Sequence, residues 1–272
     1  MNAKAIANKV TFNQVIFNKV TVLNLGGLGA LGGKIGHPNL AKCLTHPMFS
    51  QCEHKKRKNM KNPDSNIDKN AVQLRVATQQ DVENLVTLLN RCYRSDEGWT
   101  NEAALIGGIR TTHEEMTALI DNPNVYLFVF ENPHDSDDLL GCISVDFSPI
   151  NHQPAAYIGT FAVHPAVQGR GIGDTMLSAV ETFAIRHAHA KNLTHLPLTH
   201  LPLTHLSMSI LSHRPELLSY YQRRGYLLTG EKMAFPRDGN NGDPKRDDVF
   251  LEFLQKPIQA NEASIKSSNT IE

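Results

Sequence analysis

Between residues 72 and 256 apolar positions recur at two spacings, every second residue and every third or fourth, and the two alternate along the chain. Residues 72–76 alternate as a short strand. Thr78 and Asp81 have the spacing of a capping box, and Val82, Leu85, Leu88, Leu89 and Cys92 then line one face of a helix. A loop carrying Trp99 leads to a second helical region, whose last part is capped by Thr112 and Glu115 and ended by Asn122 and Pro123. Residues 126–130 and 139–147 read as strands around a polar turn that holds Pro133, Asp135, Asp137 and Asp138. Residues 156–163 form an apolar, β-prone run stopped by Pro165. Met176, Leu177, Val180 and Ala184 then mark a long helix reaching about residue 190. A strand over 206–211, a short helix over 215–224 and a strand pair near 227–235 and 249–254 complete the pattern. Pro215 suits the first helical position and Gly225 the residue just past the helix end.

The junction between the 156–163 strand and the long helix reads Gln168, Gly169, Arg170, Gly171, Ile172, Gly173. Glycines there remove Cβ atoms, so successive backbone N–H groups can close around an anion while the helix N-terminus adds its partial positive charge. Arg170 adds a formal charge. Such a turn also serves simply to let a strand and a helix pack closely, so the stretch alone leaves both readings open.

Taken with the segment before it, the stretch resembles the acyl-CoA-binding motif of the GNAT superfamily of N-acetyltransferases, Gln/Arg-x-x-Gly-x-Gly/Ala, with Gln168, Gly171 and Gly173 at its fixed positions. Tyr221, Gly225 and Tyr226 are similar to the family's Tyr-x-x-x-Gly-Phe block. The resemblance spans about residues 71–256 and implies an α/β (α+β) GNAT fold. Its central sheet is expected to be mixed and mostly antiparallel, of about six or seven strands, flanked by about four helices. It also implies acetyl-CoA as cosubstrate, held by Phe161, Ala162, Val163, Gln168, Gly169, Arg170, Gly171, Ile172, Gly173 and Asp174, and Tyr221 as the catalytic acid for the departing thiolate. Tyr220, about a quarter-turn away, is the lesser candidate. Tyr221 also has an ordinary reading as a packed residue on the face of Leu217 and Leu218.

The amine must lose a proton as well, and relatives often carry a Glu on the strand before the cofactor motif or on the next strand. Residues 157–163 and 207–210 contain no carboxylate. Asp146, His164 and ordered water are the substitutes, and Arg214 stands where many relatives have Asn. The missing carboxylate leaves room for a second class, a CoA-binding regulatory or structural module without turnover. The expected activity is acetyl transfer to an unidentified primary amine in a ternary complex. The loops around Trp99 and over 235–247 would shape the amine site.

With 272 residues, 40% hydrophobic, the chain can bury a substantial core, and 27 basic against 27 acidic residues give it no net charge. Neither nucleic acid nor a membrane surface is therefore the expected partner, and a monomer or homodimer is expected. Four cysteines without paired or metal-type spacing suit the cytoplasm. Residues 1–70 read as an N-terminal extension, disordered or arising from an upstream start, with Met60 an alternative start. Residues 257–272 read as a disordered tail. Within the extension Gly27, Gly29 and Gly32 match a dinucleotide fingerprint in form, but Gly33, Gly36 and Pro38 break the helix that such a site needs. Thr-His-Leu-Pro-Leu occurs twice in tandem over 194–203. Pro197 and Pro202 forbid a regular helix there, so His195, His200 and His205 are expected to be a tolerated duplication with no metal.

Overall fold

The computed structural model describes residues 67–150, 154–193, 203–237 and 242–258. The glycine run near residue 30, Met60, the repeat up to Pro202 and the tail from residue 259 lie outside them. Thirteen elements follow in chain order: β1 (Leu74–Val76), α1 (Val82–Arg94), β2 (Ile106–Gly107), α2 (His113–Asp121), β3 (Val125–Asn132), β4 (Asp135–Asp146), β5 (Ala156–Val163), α3 (Ile172–Leu193), β6 (His205–Leu211), α4 (Pro215–Gln222), β7 (Leu227–Ala234), β8 (Asp243–Pro244) and β9 (Phe250–Pro257). Seven strands form one sheet in the order β1-β3-β4-β5-β6-β9-β7, antiparallel except for β5 against β6. This is the mixed, mostly antiparallel sheet with four helices that the sequence implied.

Alternation along the strands divides the apolar side chains between two cores. Leu127 and Val129 of β3 face α1, where Val82, Leu85, Leu88, Leu89 and Cys92 are all buried. Phe128 and Phe130 face the other way, onto Ile172, Met176, Leu177, Val180 and Ala184 of α3. Both capping boxes form, Thr78 with Asp81 and Thr112 with Glu115.

Three local readings change. Only His113–Asp121 of the second helical region is helical, because the preceding segment instead pairs Ile106 with Pro244 and Gly107 with Asp243. The expected acidic turn is largely strand: Asn132 accepts the His134 N–H at 3.0 Å and donates to Asp138 at 3.3 Å, closing the β3–β4 hairpin tightly. Residues 67–70, which the sequence placed in the extension, pack on the domain. Ile67 is 2% exposed in the α3-side core, and the stem of Lys69 lies against Gly171.

Strand β5 is irregular where it matters. Cys142 pairs with Ala162 and Ser144 with Gly159, so β5 holds one residue more than β4 over this step, a bulge at which Thr160 takes φ 46°. Its parallel pairing with β6 is confined to Ala156 with Leu206 and Tyr157 with Ser207. Beyond those pairs the two strands part, and a gap opens in the middle of the sheet.

Candidate active site

Two cavities flank that gap. The outer one is a cleft of about 580 Å³ running over the N-terminus of α3, lined by Phe161, Val163, Gln168, Gly169, Gly171, Ile172, Gly173, Asp174, Trp99, Tyr220 and Tyr221 among others. The inner one, of about 180 Å³, is lined by Tyr93, Arg94, Glu102, Arg110, Ser144, Asp146, Tyr157 and Ser209 with apolar neighbours. Thr100, Phe161, Leu217 and Tyr221 border both.

Backbone conformation makes the cleft. Gly169 and Gly171 both have φ 77°, and this left-handed geometry alternating with ordinary residues turns successive N–H groups toward one side as α3 begins. A Cβ on Gly169 would meet nothing within 4 Å, whereas one on Gly171 would come within 3.3 Å of Lys69 Cδ. Lys69 therefore brings a cation's stem over the loop from a segment outside the motif. Asp174, in the first turn of α3, accepts the Tyr220 hydroxyl at 2.9 Å and is ion-paired with Arg224, whose guanidinium lies 3.4 Å from the Tyr220 ring centroid. The carboxylate is thus neutralised at the rim. The loop and the helix N-terminus fit a pyrophosphate-bearing ligand.

Two of the ten residues expected around the cofactor do not line the cleft. Ala162 is 1% exposed in the core on the α1 side, because its side chain follows the strand's alternation to the opposite face. Arg170 donates to the carbonyls of Ile67 at 3.1 Å and Ala166 at 3.2 Å, so its guanidinium fastens backbone beneath the loop. Gln168 lines the cleft but its side-chain amide is committed: Nε2 donates to Val163 O at 2.8 Å and Oε1 accepts the Trp99 N–H at 2.6 Å.

Tyr221 projects to the junction of the two cavities from α4, where Pro215 occupies the first turn and Gly225, φ 86°, follows the helix end. Burial raises its hydroxyl well above the ordinary tyrosine range, so it stays protonated at neutral pH. Tyr220 also faces the cleft, edge-on to Trp99 at 5.6 Å, but it reaches only the outer cavity.

The candidate bases fare differently. Asp146 lines the inner cavity and accepts the Ser148 N–H at 2.7 Å. It pairs with Tyr157, four residues before Phe161 along β5, so about 13 Å of strand at about 3.3 Å per residue separates that pair from Phe161. His164 is 2% exposed and borders neither cavity. Its Nδ1 accepts the Ala166 N–H at 3.2 Å, its Nε2 lies 2.9 Å from Arg91, and burial followed by the Arg91 charge lowers its pKa. Arg214 contacts neither cavity wall as a ligand would. It donates to the carbonyls of Asn101 at 2.8 Å and Trp99 at 2.9 Å and pairs with Glu216, so it clamps the Trp99 loop.

Sequence reasoning missed the polar lining of the inner cavity. Arg94 and Glu102 form an ion pair of 2.8 Å with side chains 7% and 14% exposed. Arg110 lies over the Tyr93 ring, 5.2 Å from its centroid, and the Tyr93 hydroxyl donates to Phe161 O at 2.5 Å. These residues come from the end of α1, the loop after it and the segment between β2 and α2, which carry no motif. Among the described residues no group of three or more His, Cys, Asp or Glu is placed to hold a metal, and no helix is long and apolar enough to cross a membrane.

The family model "Acetyltransferase (GNAT) family" matches residues 82–202. A search of curated protein sequences finds no match. Among solved structures, a ribosomal-protein-alanine N-acetyltransferase from Brucella melitensis is similar at 18% identity, TM-score 0.48, over 69% of this chain and 100% of that one. A GNAT-family acetyltransferase from Streptococcus pneumoniae is similar at 17% identity, TM-score 0.45, over 69% and 99%. A spermidine N-acetyltransferase from Vibrio cholerae, solved with CoA and spermine, is similar at 14% identity, TM-score 0.47, over 69% and 96%. Over residues 82–202 the chain is thus similar to the acetyltransferase (GNAT) family.

Proposed function

We propose that this domain, over about residues 71–256, transfers the acetyl group of acetyl-CoA to a primary amine by direct attack in a ternary complex, within the cytoplasm. The observation that carries this reading is the meeting of the two cavities at Thr100, Phe161, Leu217 and Tyr221. One cavity has a phosphate cradle and the other has polar walls, so two different molecules can approach one point from opposite sides of the sheet gap.

When bound, acetyl-CoA supplies an activated acyl group on a thioester. The loop 168–173 and the N-terminus of α3 hold its phosphates, and the parted edge of β5 receives its pantetheine. The amine enters the inner cavity. Tyr221 donates its proton to the departing sulfur, a role its raised pKa permits because the hydroxyl is still protonated at neutral pH. Glu102 is held by Arg94, so water in the inner cavity takes the amine's proton. The buried thiols Cys92 and Cys142, the former pushed up to about 12 by burial, stay as thiols and take no part.

The direct test is mass-spectrometric detection of acetylated product across an amine panel, with acetyl-CoA binding followed separately by thermal shift. Acetylated product together with a stabilising shift is expected. A shift without product from any amine would overturn catalysis and leave a CoA-binding module.

A further inference from the structure

The two strands that flank the sheet gap sort their side chains by face. Ala156 and Ile158 of β5, with Leu206, Met208 and Ile210 of β6, are buried in the core on the α3 side, so Tyr157, Gly159, Ser207 and Ser209 turn the other way. Of these, Tyr157, Gly159 and Ser209 line the inner cavity. The backbones pair only as far as Tyr157 with Ser207, yet the Tyr157 and Ser209 hydroxyls meet at 2.6 Å beyond that point. The Tyr157 ring leans along β5. A Cβ on Gly159 would stand 3.2 Å from Tyr157 Cε1 and 3.7 Å from its Cδ1, so the hydroxyl end of the ring is the end that approaches Gly159, two residues before Phe161. The hydroxyl pair therefore bridges the gap on the Phe161 side of the last backbone pairing.

One O–H of the pair donates to the other oxygen, which leaves the second O–H and further lone pairs for a third group. Burial holds the Tyr157 hydroxyl above the ordinary tyrosine range, so the pair is uncharged at neutral pH. An uncharged acceptor suits an attacking amine. A carboxylate in this place would favour the ammonium form, which has no lone pair to attack with. Hydroxyl oxygens instead accept an N–H from the neutral amine and leave its lone pair free to face the carbonyl carbon.

We infer that Tyr157 and Ser209 act together to hold the acceptor's amino group, their hydroxyl oxygens accepting its N–H while its lone pair faces the thioester. The inference rests on the acetyltransferase reading of the same site. It concerns orientation, and the amine's proton still leaves to water.

The experiment measures transfer by the full chain to phenethylamine, cadaverine, L-lysine, L-alanine amide and spermidine, and follows the best of these acceptors in the variants. Tyr157→Phe keeps the ring against Gly159, and Ser209→Ala removes one hydroxyl from β6. Each is expected to lower kcat/KM for the amine by about tenfold or more, with KM for acetyl-CoA and the melting temperature little changed. The double variant should lose no more than the worse single one, because either change breaks the pair. Ser209→Thr retains a hydroxyl and should keep most of the activity. Single variants within about twofold of the parent would overturn the inference while leaving acetyl transfer intact. Losses that multiply in the double variant would overturn the joint action of the two hydroxyls. An equal loss of acetyl-CoA affinity, read by thermal shift, would also overturn it, since the pair would then be holding the sheet gap and not the amine. If no amine is acetylated although acetyl-CoA still shifts the melting temperature, the acetyltransferase reading fails and this inference falls with it.

Discussion

The outer cleft and the inner cavity share four residues but are built in opposite ways. The cleft rests on backbone: left-handed geometry at both Gly169 and Gly171, a helix start, and a strand that parts from its neighbour. Such features need particular residue types at short, fixed spacing, so they leave a mark in the sequence. The inner cavity rests on side chains gathered from α1, the loop after it, β4, β5 and β6. Almost any polar residue can stand at those positions, and what makes them a site is their convergence in space. The cleft is therefore read in one stretch of chain, while the inner cavity is not.

The largest effect should come from breaking the cradle. In Gly171→Glu a side chain enters a position with φ 77° whose Cβ already meets Lys69 at 3.3 Å, and a negative charge is placed beside the phosphates. For the parent, acetyl-CoA at a hundred times its Kd should add about 2.7 kcal/mol, several degrees in a domain of this size. The variant should show no shift. An unchanged shift would mean that the nucleotide binds elsewhere.

Next in size is the junction itself. Tyr221→Phe keeps the ring and removes the hydroxyl, so kcat should fall on the order of a hundredfold with acetyl-CoA affinity kept, whereas Tyr220→Phe should be much milder. The pH profile adds a second check. The buried Tyr221 hydroxyl is raised, so the acid form is present below and through the ordinary tyrosine range. The amine must be neutral, so kcat should climb with pH toward the amine's own pKa, with no downturn below about pH 10. Transfer by Tyr221→Phe within threefold of the parent, with chemistry rate-limiting, would return the residue to a packing role.

This contrast also explains how much was legible beforehand. The buried stripe of α1, the core face of α3 and both capping boxes followed from spacing alone, because each depends on local periodicity. Tyr221 was singled out because Tyr221, Gly225 and Tyr226 resemble a family motif, and it lies where the two cavities meet. Which face the Ala162 side chain takes, and that the Arg170 guanidinium meets the carbonyls of Ile67 and Ala166, depend on contacts that the local motif does not carry. Arg110 and Glu102 had no signal at all, since their partners lie in other elements. Arg214 was noticed as a departure, but its purpose, holding the carbonyls of Trp99 and Asn101, needs a contact across more than a hundred residues.

That clamp ties the two regions together, because Trp99 and Thr100 border the cleft while Thr100 and Glu102 border the inner cavity. Arg214→Met should leave two carbonyls without their donor and cost on the order of 2 kcal/mol of stability. Trp99 is the chain's single tryptophan, so its emission reports the loop directly and should shift toward that of a water-exposed indole. KM should rise several-fold for both substrates. Unaltered emission and an unaltered melting temperature would show that Gln168, through its bond to the Trp99 N–H, holds the loop without help.

The smallest effect separates the cradle's two glycines. Both have φ 77°, but a Cβ on Gly169 points into open space while one on Gly171 presses on the stem of Lys69. Gly169→Ala should therefore cost only the left-handed strain, about 1–2 kcal/mol, which lowers the melting temperature by a few degrees. Gly169→Asn should recover part of that, because Asn tolerates the left-handed region. Gly171→Ala carries the same strain and must also displace Lys69, so it should cost more and weaken acetyl-CoA binding further. Equal losses at the two positions would mean that backbone conformation alone shapes the cradle and that the packing of Lys69 on Gly171 contributes nothing. A larger loss at Gly169 would instead show that its open side is where the ligand approaches the backbone most closely.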